Sequence, residues 1–271
     1  MDTNTNDTSA LTLEEKEESV SDAAPTPAIS PEDLKLLNAM TEAGIHFGRK
    51  KSKTSPQMAY AIYTVRNNMA VIDVSKTLEA LRAAGDFLRT IIARQGKVLV
   101  LGTQPALRDA TLSFAKQFSF AVVVERWLGG TLTNFATMKG RIVHFKKLRE
   151  DKAAGRLARY SKKEQLMIQR EIDRLEKFFG GIETLDQLPD ALFMIDVEMH
   201  ETALREAKKL AKSIPVVGLL NTDGEHLRDV DYPVPMNTSG KSSVEWVLNF
   251  LADYIKEAKS ADAAPSAATS I

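Results

Sequence analysis

The feature that most constrains the fold is a series of short, almost wholly apolar runs separated by segments of helical spacing. Strands that are buried on both faces have this composition, and such strands occur mainly in parallel sheets with helices on either side. The pattern therefore predicts an α/β fold with a doubly wound, mainly parallel sheet. The strand-like runs lie at 71–74, 97–101, 121–124, 191–196 and 214–220. Helices are expected after the N-cap residue Ser75, at 105–118 and around 199–212.

Residues 131–180 interrupt this alternation, because they contain no strand-like run and are strongly charged. Two apolar stripes recur there at three- and four-residue spacing: Phe135, Met138, Ile142 and Phe145, then Ile168, Ile172, Leu175 and Phe179. Two such stripes joined by a polar turn at Gly155 predict an antiparallel helical hairpin, packed along its own seam as a coiled coil. The expected architecture is a flavodoxin- or Rossmann-like sheet with a hairpin inserted at about 131–180.

The two ends of the chain differ in composition from its body. Residues 1–30 are rich in Thr, Ser, Ala, Pro and Glu, which predicts a disordered acidic tail. Residues 259–271 are rich in Ala and Ser and are also expected to be disordered. Residues 31–258 would then form the α/β domain. The acidic N-terminus lacks the basic and apolar regions of a signal peptide, and no apolar run reaches the length of a membrane span, so we expect a soluble, cytoplasmic protein.

The charge of the chain is unevenly distributed, although 36 basic and 36 acidic side chains cancel. Residues 1–33 hold nine acidic side chains against Lys16 alone, a net of −8. The remaining residues therefore carry +8. An acidic tail on a basic body favours a polyanionic partner.

Two clusters of cations are the predicted binding residues for this polyanion. The first follows Gly48 and consists of Arg49, Lys50, Lys51 and Lys53. The second lies in the predicted hairpin, where 139–177 holds thirteen basic and six acidic residues; we select Lys139, Arg141, Lys146, Lys147 and Arg149. A charged helix pair can also be merely a solvated surface, but the excess of one sign favours contacts with phosphate.

The run at 127–134 leaves a predicted strand, turns on Gly129 and Gly130, and enters a helix that Thr131 or Thr133 would cap. Its free N–H groups could hold a phosphate. It could equally be a tight turn anchored by Trp127. The residues alone leave both interpretations open for Trp127, Gly129, Gly130 and Thr131, and only the family resemblance described below leads us to predict the structural role.

The chemistry of an enzyme is not evident. Asp73 and Asp196 follow strand-like runs, but Asp at a strand end is commonly a helix cap. Residues 240–242 imitate the end of a P-loop, yet Pro235 stands where that motif needs glycine. Cysteine is absent, and the four histidines show no metal-ligand spacing. We therefore predict no catalytic residue, metal, cofactor or small-molecule substrate. The alternative is a sugar-phosphate or nucleotide-binding enzyme with Gly129 and Gly130 as its phosphate cradle.

Taken together, these runs resemble the universal small-subunit ribosomal protein number two family in its bacterial form. The most specific matches are Trp-Leu-Gly-Gly-Thr-Leu-Thr-Asn at 127–134 and Pro-Asp-Ala at 189–191. Further matches, in family order, lie at 43–48, 56–58, 66–67, 72–73, 100–103, 175–178, 180–182, 188–193 and 214–218. The resemblance extends from about residue 34 to residue 254, which covers the whole body.

The resemblance implies a structural role in the small ribosomal subunit, with ribosomal RNA and neighbouring small-subunit proteins as partners. It also implies a doubly wound domain interrupted by a helical hairpin, and no reaction of its own. The chain departs from the family pattern at several positions. Arg49 stands where the family usually has a second histidine, Asn221 where it often has an aspartate, and Met236 where it usually has a glycine. These changes leave the expected fold intact.

Overall fold

The computed structural model describes residues 30–210 and 212–262 of the chain. The helices are α1 (Pro31–Glu42), α2 (Val74–Ala93), α3 (Arg108–Gln117), α4 (Phe135–Ala153), α5 (Lys162–Phe179), α6 (Glu201–Lys209) and α7 (Lys241–Asp262). The strands are β1 (Phe47–Lys50), β2 (Ile62–Arg66), β3 (Met69–Ile72), β4 (Val98–Leu101), β5 (Ala121–Val123), β6 (Ala191–Ile195), β7 (Val216–Leu220) and β8 (Tyr232–Pro235).

Five strands form a parallel sheet in the order β5-β4-β6-β7-β8. Strand β4 pairs with β5 on one side and with β6 on the other, so that Val100 lies beside both Val122 and Phe193. After β5 the chain returns to the other side of β4 and then proceeds outward to β8. This reversal is the mark of a doubly wound sheet, and it confirms the predicted α/β class.

Alternate residues of the sheet point into two separate cores. Val98 and Val100 of β4 belong to the cluster that includes buried side chains of α2, α3 and α7. Leu99 and Leu101 belong to the cluster that includes buried side chains of α4, α5 and α6. Because each face is covered by helices, both sets of alternate positions must be apolar. This explains why the strands appear as unbroken apolar runs.

A second, antiparallel sheet has the strand order β1-β3-β2. The run at 71–74 was expected to be a parallel strand, and that prediction is wrong, because it contributes to β3 of this small sheet. Ser75 is not the cap of α2 either. The N-cap is Asp73, whose carboxylate accepts a hydrogen bond from the Ser75 N–H at 3.0 Å.

Helices α4 and α5 occupy the chain between β5 and β6. A left-handed Gly155, with φ of +67°, follows α4, and a capping box of Ser161 and Glu164 begins α5. The side chains at the predicted seam are not satisfied by each other alone, because Ile142 and Ile172 share one core with the sheet residue Leu99. The helix pair is therefore packed on the sheet. Its description as an inserted coiled-coil hairpin stays a prediction.

Two elements at the end of the body were not predicted. Strand β8 is an edge strand that contains Pro233 and Pro235, and α7 packs against α2 and α3. Helix α7 continues to Asp262, into the segment 259–271 that was assigned to a tail. The predicted tail at 1–29 and residues 263–271 lie outside the described residues. Within the described ranges, no helix combines the length and the apolar character needed to cross a bilayer.

Candidate nucleic-acid interface

The first basic cluster lies over the carboxyl end of the parallel sheet. Arg49 and Lys50 end strand β1, and a 3-10 turn at Lys51–Lys53 follows. This segment is held in place by Thr222, the second residue after β7. The Thr222 hydroxyl accepts a hydrogen bond from the Arg49 N–H at 2.8 Å, and its carbonyl accepts one from the Ser55 N–H at 2.8 Å. The small sheet thus presents its cations at the edge where open α/β sheets bind ligands.

The four cations of this cluster differ in their partners. The Arg49 guanidinium forms an ion pair with Asp223 at 3.0 Å, which neutralises much of its charge locally. Lys50, Lys51 and Lys53 are exposed, and none lies within ion-pair distance of a carboxylate in the described part of the chain. Three cations in four residues are therefore available to an anionic partner.

The second cluster lies on α4, and two of its members have structural contacts. The Lys139 ammonium donates a hydrogen bond to the backbone carbonyl of Asp186 at 3.1 Å. Arg149 forms an ion pair with Glu183 at 2.6 Å and lies 5.3 Å from the centre of the Phe145 ring. These two side chains hold the segment that follows α5 against α4.

The other cations of this cluster have no such partner. Arg141 and Lys147 are exposed, and Lys146 is half-buried. Across residues 30–210 and 212–262, none of the three has a carboxylate within ion-pair distance. The two clusters lie near different strands: the cluster on α4 follows β5, and the cluster at Arg49 contacts the loop after β7. These strands are three places apart, or about 14 Å at the usual spacing.

The turn between β5 and α4 differs in detail from its prediction. Gly130 has a φ of +88°, whereas Gly129 does not adopt a positive φ. Neither Thr131 nor Thr133 is the N-cap of α4, because the helix begins at Phe135 and its N-cap is Asn134. The Thr131 hydroxyl instead donates to the Leu128 carbonyl at 2.6 Å, which tightens the turn.

The N–H groups of this turn converge on one buried carboxylate, that of Glu206 on α6. Its Oε1 accepts hydrogen bonds from the Trp127 indole at 3.0 Å and the Gly130 N–H at 2.8 Å. Its Oε2 accepts from the Leu132 N–H at 3.0 Å, the Thr133 N–H at 3.2 Å and the Thr133 hydroxyl at 3.3 Å. Glu206 therefore occupies the position that a phosphate would take in a cradle.

The electrostatics of Glu206 agree with this geometry. Burial raises the pKa of its carboxyl, but the hydrogen bonds from Trp127, Gly130, Leu132 and Thr133 outweigh that effect and lower the pKa overall. A phosphate at this turn would have to displace an ionised side chain or lie beside it. The sequence did not identify Glu206, since it lies more than seventy residues from the turn and carries no local motif.

The carboxylates at the strand ends are also engaged in structural contacts. Asp73 caps α2. Asp196 follows β6 with a left-handed φ of +66°, and its Oδ2 accepts hydrogen bonds from the Gln104 amide at 3.0 Å and the Thr238 hydroxyl at 3.1 Å. Burial raises its pKa. The hydrogen bond from Gln104 joins the ends of β4 and β6. Asp196 therefore holds these two strands together at the point where the strand order reverses.

Comparison with known families agrees with the distribution of these residues. The sequence model of the family described as ribosomal protein S2 matches residues 40–258. The match includes the small sheet, all five parallel strands, both basic clusters, the turn at Trp127 and the carboxylate that fills it. Because it spans most of the chain, the protein belongs to the ribosomal protein S2 family, a family of structural proteins of the small ribosomal subunit.

Proposed function

We propose that this protein is a structural component of the bacterial small ribosomal subunit, where it binds ribosomal RNA and supports subunit assembly and translation. Its further partners would be neighbouring small-subunit proteins, and its location would be the cytoplasm, in association with ribosomes. Membership of the ribosomal protein S2 family supports this role.

The observation that carries RNA binding is the set of exposed cations that have no carboxylate partner among residues 30–210 and 212–262. Lys50, Lys51 and Lys53 extend from the first cluster, and Arg141 and Lys147 from α4. Unpaired surface cations have no evident role in the stability of a fold, because they repel one another. Their attraction to phosphate and the release of counterions from RNA give them a role in binding.

A role without a reaction of its own is supported by how the polar groups are engaged. Glu206 fills the turn that the enzyme alternative requires as a phosphate cradle. The Asp196 carboxylate is held by Gln104 and Thr238. These groups are occupied in holding strands and turns together.

The proposal is tested by measuring the affinity of the full chain for small-subunit ribosomal RNA at several salt concentrations. On a logarithmic plot, each phosphate that the protein neutralises should contribute a slope of roughly −0.7 to −0.9. Replacing Arg141, Lys146 and Lys147 together by glutamine should weaken binding and flatten the slope. An affinity that does not change with salt would contradict the proposal.

The matched control removes three exposed lysines that lie outside both clusters: Lys35, Lys116 and Lys209. Because both triple variants lose three charges, a loss of affinity that is equal in the two would indicate only a general effect of net charge. Co-sedimentation with small subunits at moderate salt tests the cellular role. Absence from the subunit fractions would refute it.

A further inference from the structure

A cavity of about 410 Å³ opens at the carboxyl edge of the parallel sheet, beneath the small sheet. One wall is strand β1, and the floor is formed by the residues that follow β7 and β8. Its lining includes Phe47, Arg49, Lys50, Lys53, Asn221 and Asn237. Its size is that of sites that hold a small organic molecule, and it is too large for a single ion.

The cavity is suited to an anion. Lys50 and Lys53 line it, as does Arg49, and no carboxylate does. Ser239 lies two residues before α7, a long helix whose N-terminus adds positive potential at this edge. Because Arg49 is paired with Asp223, the positive charge available to a ligand comes from Lys50 and Lys53.

Phe47 gives the cavity an aromatic wall. Its side chain is 52% exposed, which is unusual for a phenylalanine on a strand. The ring is supported on one side by the His46 ring, with 4.0 Å between the ring centres and a tilt of 40°. An aromatic ring that is supported in this way and exposed beside cations can act as a stacking surface for a nucleic-acid base.

The floor is rigid before any ligand arrives. The Asn237 amide donates to the Gly44 carbonyl at 3.1 Å and accepts from the Ser239 N–H at 3.1 Å. The Asn221 oxygen accepts from the Thr222 N–H at 2.8 Å, which leaves its amide N–H groups directed away from that bond. A preformed floor lowers the entropic cost of binding.

We propose that this cavity binds one unpaired nucleotide of an RNA strand, with its phosphate on Lys50 and Lys53 and its base against Phe47. The proposal rests on the proposed function and deepens it, because it assigns to the first basic cluster a single-stranded feature of the RNA. A duplex cannot enter in this way, since its bases are stacked on each other. The cluster on α4 consists of cations along a helix and would bind phosphates of either form.

The test compares three forms of the full chain: wild type, Phe47→Leu, and Lys50→Gln with Lys53→Gln. The control is Lys116→Gln with Lys209→Gln, which removes the same charge elsewhere. Each protein is titrated with a labelled single-stranded RNA of about ten nucleotides, with a duplex RNA of equal length, and with adenosine monophosphate. Thermal melting establishes that each variant is folded.

Phe47→Leu should weaken binding of the single strand by roughly 10- to 100-fold, the usual effect of losing one stacked base, and leave duplex binding unchanged. The double lysine variant should weaken single-strand binding more than the control does. An equal loss on single strand and duplex would overturn the proposal, because it would indicate a charged surface without a nucleotide site.

Other outcomes separate this proposal from the proposed function. If wild type binds small-subunit RNA but Phe47→Leu binds the single strand as well as wild type, the cavity proposal fails and RNA binding stands. If adenosine monophosphate binds as tightly as the oligonucleotide, the cavity is a site for free nucleotides, and the proposal is wrong. If the wild type binds no RNA, both fail.

Discussion

Replacing Glu206 by glutamine would keep the shape of the side chain and remove its charge. The carboxylate now accepts five hydrogen bonds from the turn at Trp127. A glutamine has one acceptor oxygen and one NH₂ group, and the NH₂ group would face donors. In the less costly orientation, the NH₂ group of the glutamine would take the place of Oε1. Two donors, the Trp127 indole and the Gly130 N–H, would then have no acceptor.

The expected cost follows from those two lost contacts. A hydrogen bond to a charged group contributes about 1.5–3 kcal/mol, and a buried donor left without a partner costs a similar amount. Because Trp127 is only half-buried, water can partly replace one of the two bonds. We therefore expect Glu206→Gln to lower the free energy of unfolding by about 3 kcal/mol. For a domain of this size, the melting temperature should fall by roughly 6–12 °C.

The assay is chemical and thermal unfolding at neutral pH, with Glu201→Gln as the control. Glu201 lies on the same helix, forms an ion pair with Arg205 and lies 3.3 Å from the His226 ring nitrogen; because its side chain is partly exposed, its replacement should cost less than about 1 kcal/mol. If Glu206→Gln destabilises the protein no more than Glu201→Gln does, the carboxylate does not hold the turn, and the reasoning is refuted.

Acid provides an independent check. The folded pKa of Glu206 lies below its ordinary value of 4.5. Its contribution to stability is therefore complete above that value and is lost as pH falls through the lower, folded pKa. The difference between wild type and Glu206→Gln should be constant near neutrality and shrink in acid. A difference that stays unchanged down to pH 3 would show that ionisation of Glu206 is irrelevant.

Three further predictions concern other parts of the body. Burial lowers the pKa of His200 from 6.5 to about 4. The free energy of unfolding should therefore fall by about 3 kcal/mol as pH falls between these two values. His200→Gln should flatten the plot of this free energy against pH over the same range. Gly130→Ala should cost about 1–2 kcal/mol at its positive φ, while Gly129→Ala, with open space around its Cβ, should cost less than about 0.5 kcal/mol; equal melting temperatures would contradict this. A chain that begins at Ser30 should melt within about 2 °C of the full chain, because the preceding segment contains few apolar side chains, and a lost transition would disprove it.

The parallel strands could be predicted from the sequence because burial on both faces leaves a signature that needs no other information. Strands β4 to β7 each lie within a predicted run. Strand β8 could not be recognised, since Pro233 and Pro235 argue against a strand interior. The two prolines are tolerated because β8 lies at the edge of the sheet and forms hydrogen bonds to β7 on one side only. The position of a strand within a sheet is not visible in its own residues.

The error at 71–74 has a similar cause. A short apolar run followed by a helix is the signature of a β-α unit, and β3 with α2 has that appearance. The run is nevertheless central in an antiparallel sheet, between β1 and β2, and Asp73 turns the chain into the helix. Local pattern determines that a strand exists, whereas its direction depends on partners elsewhere in the chain.

The basic clusters could be selected from the sequence by composition, but their electrostatic state could not. Arg49 and Arg149 were grouped with the lysines beside them. In the structure each is paired with a carboxylate, Asp223 and Glu183 respectively. Asp223 lies far from Arg49 along the chain, and helix α5 lies between Arg149 and Glu183. A count of charges therefore overestimates what is available to RNA, and folding decides which cations remain unpaired.

The carboxyl edge of an open α/β sheet is where enzymes of this architecture bind ligands. In this chain three acidic groups near that edge hold structure together: Asp73 caps a helix, Asp196 bridges β4 and β6, and Glu206 fills a turn. The remaining polar surface at the edge, around Lys50 and Lys53, is positive, and Asp223 beside it is paired with Arg49. A ligand edge whose acids are engaged in structure and whose lysines are exposed is suited to binding an anion.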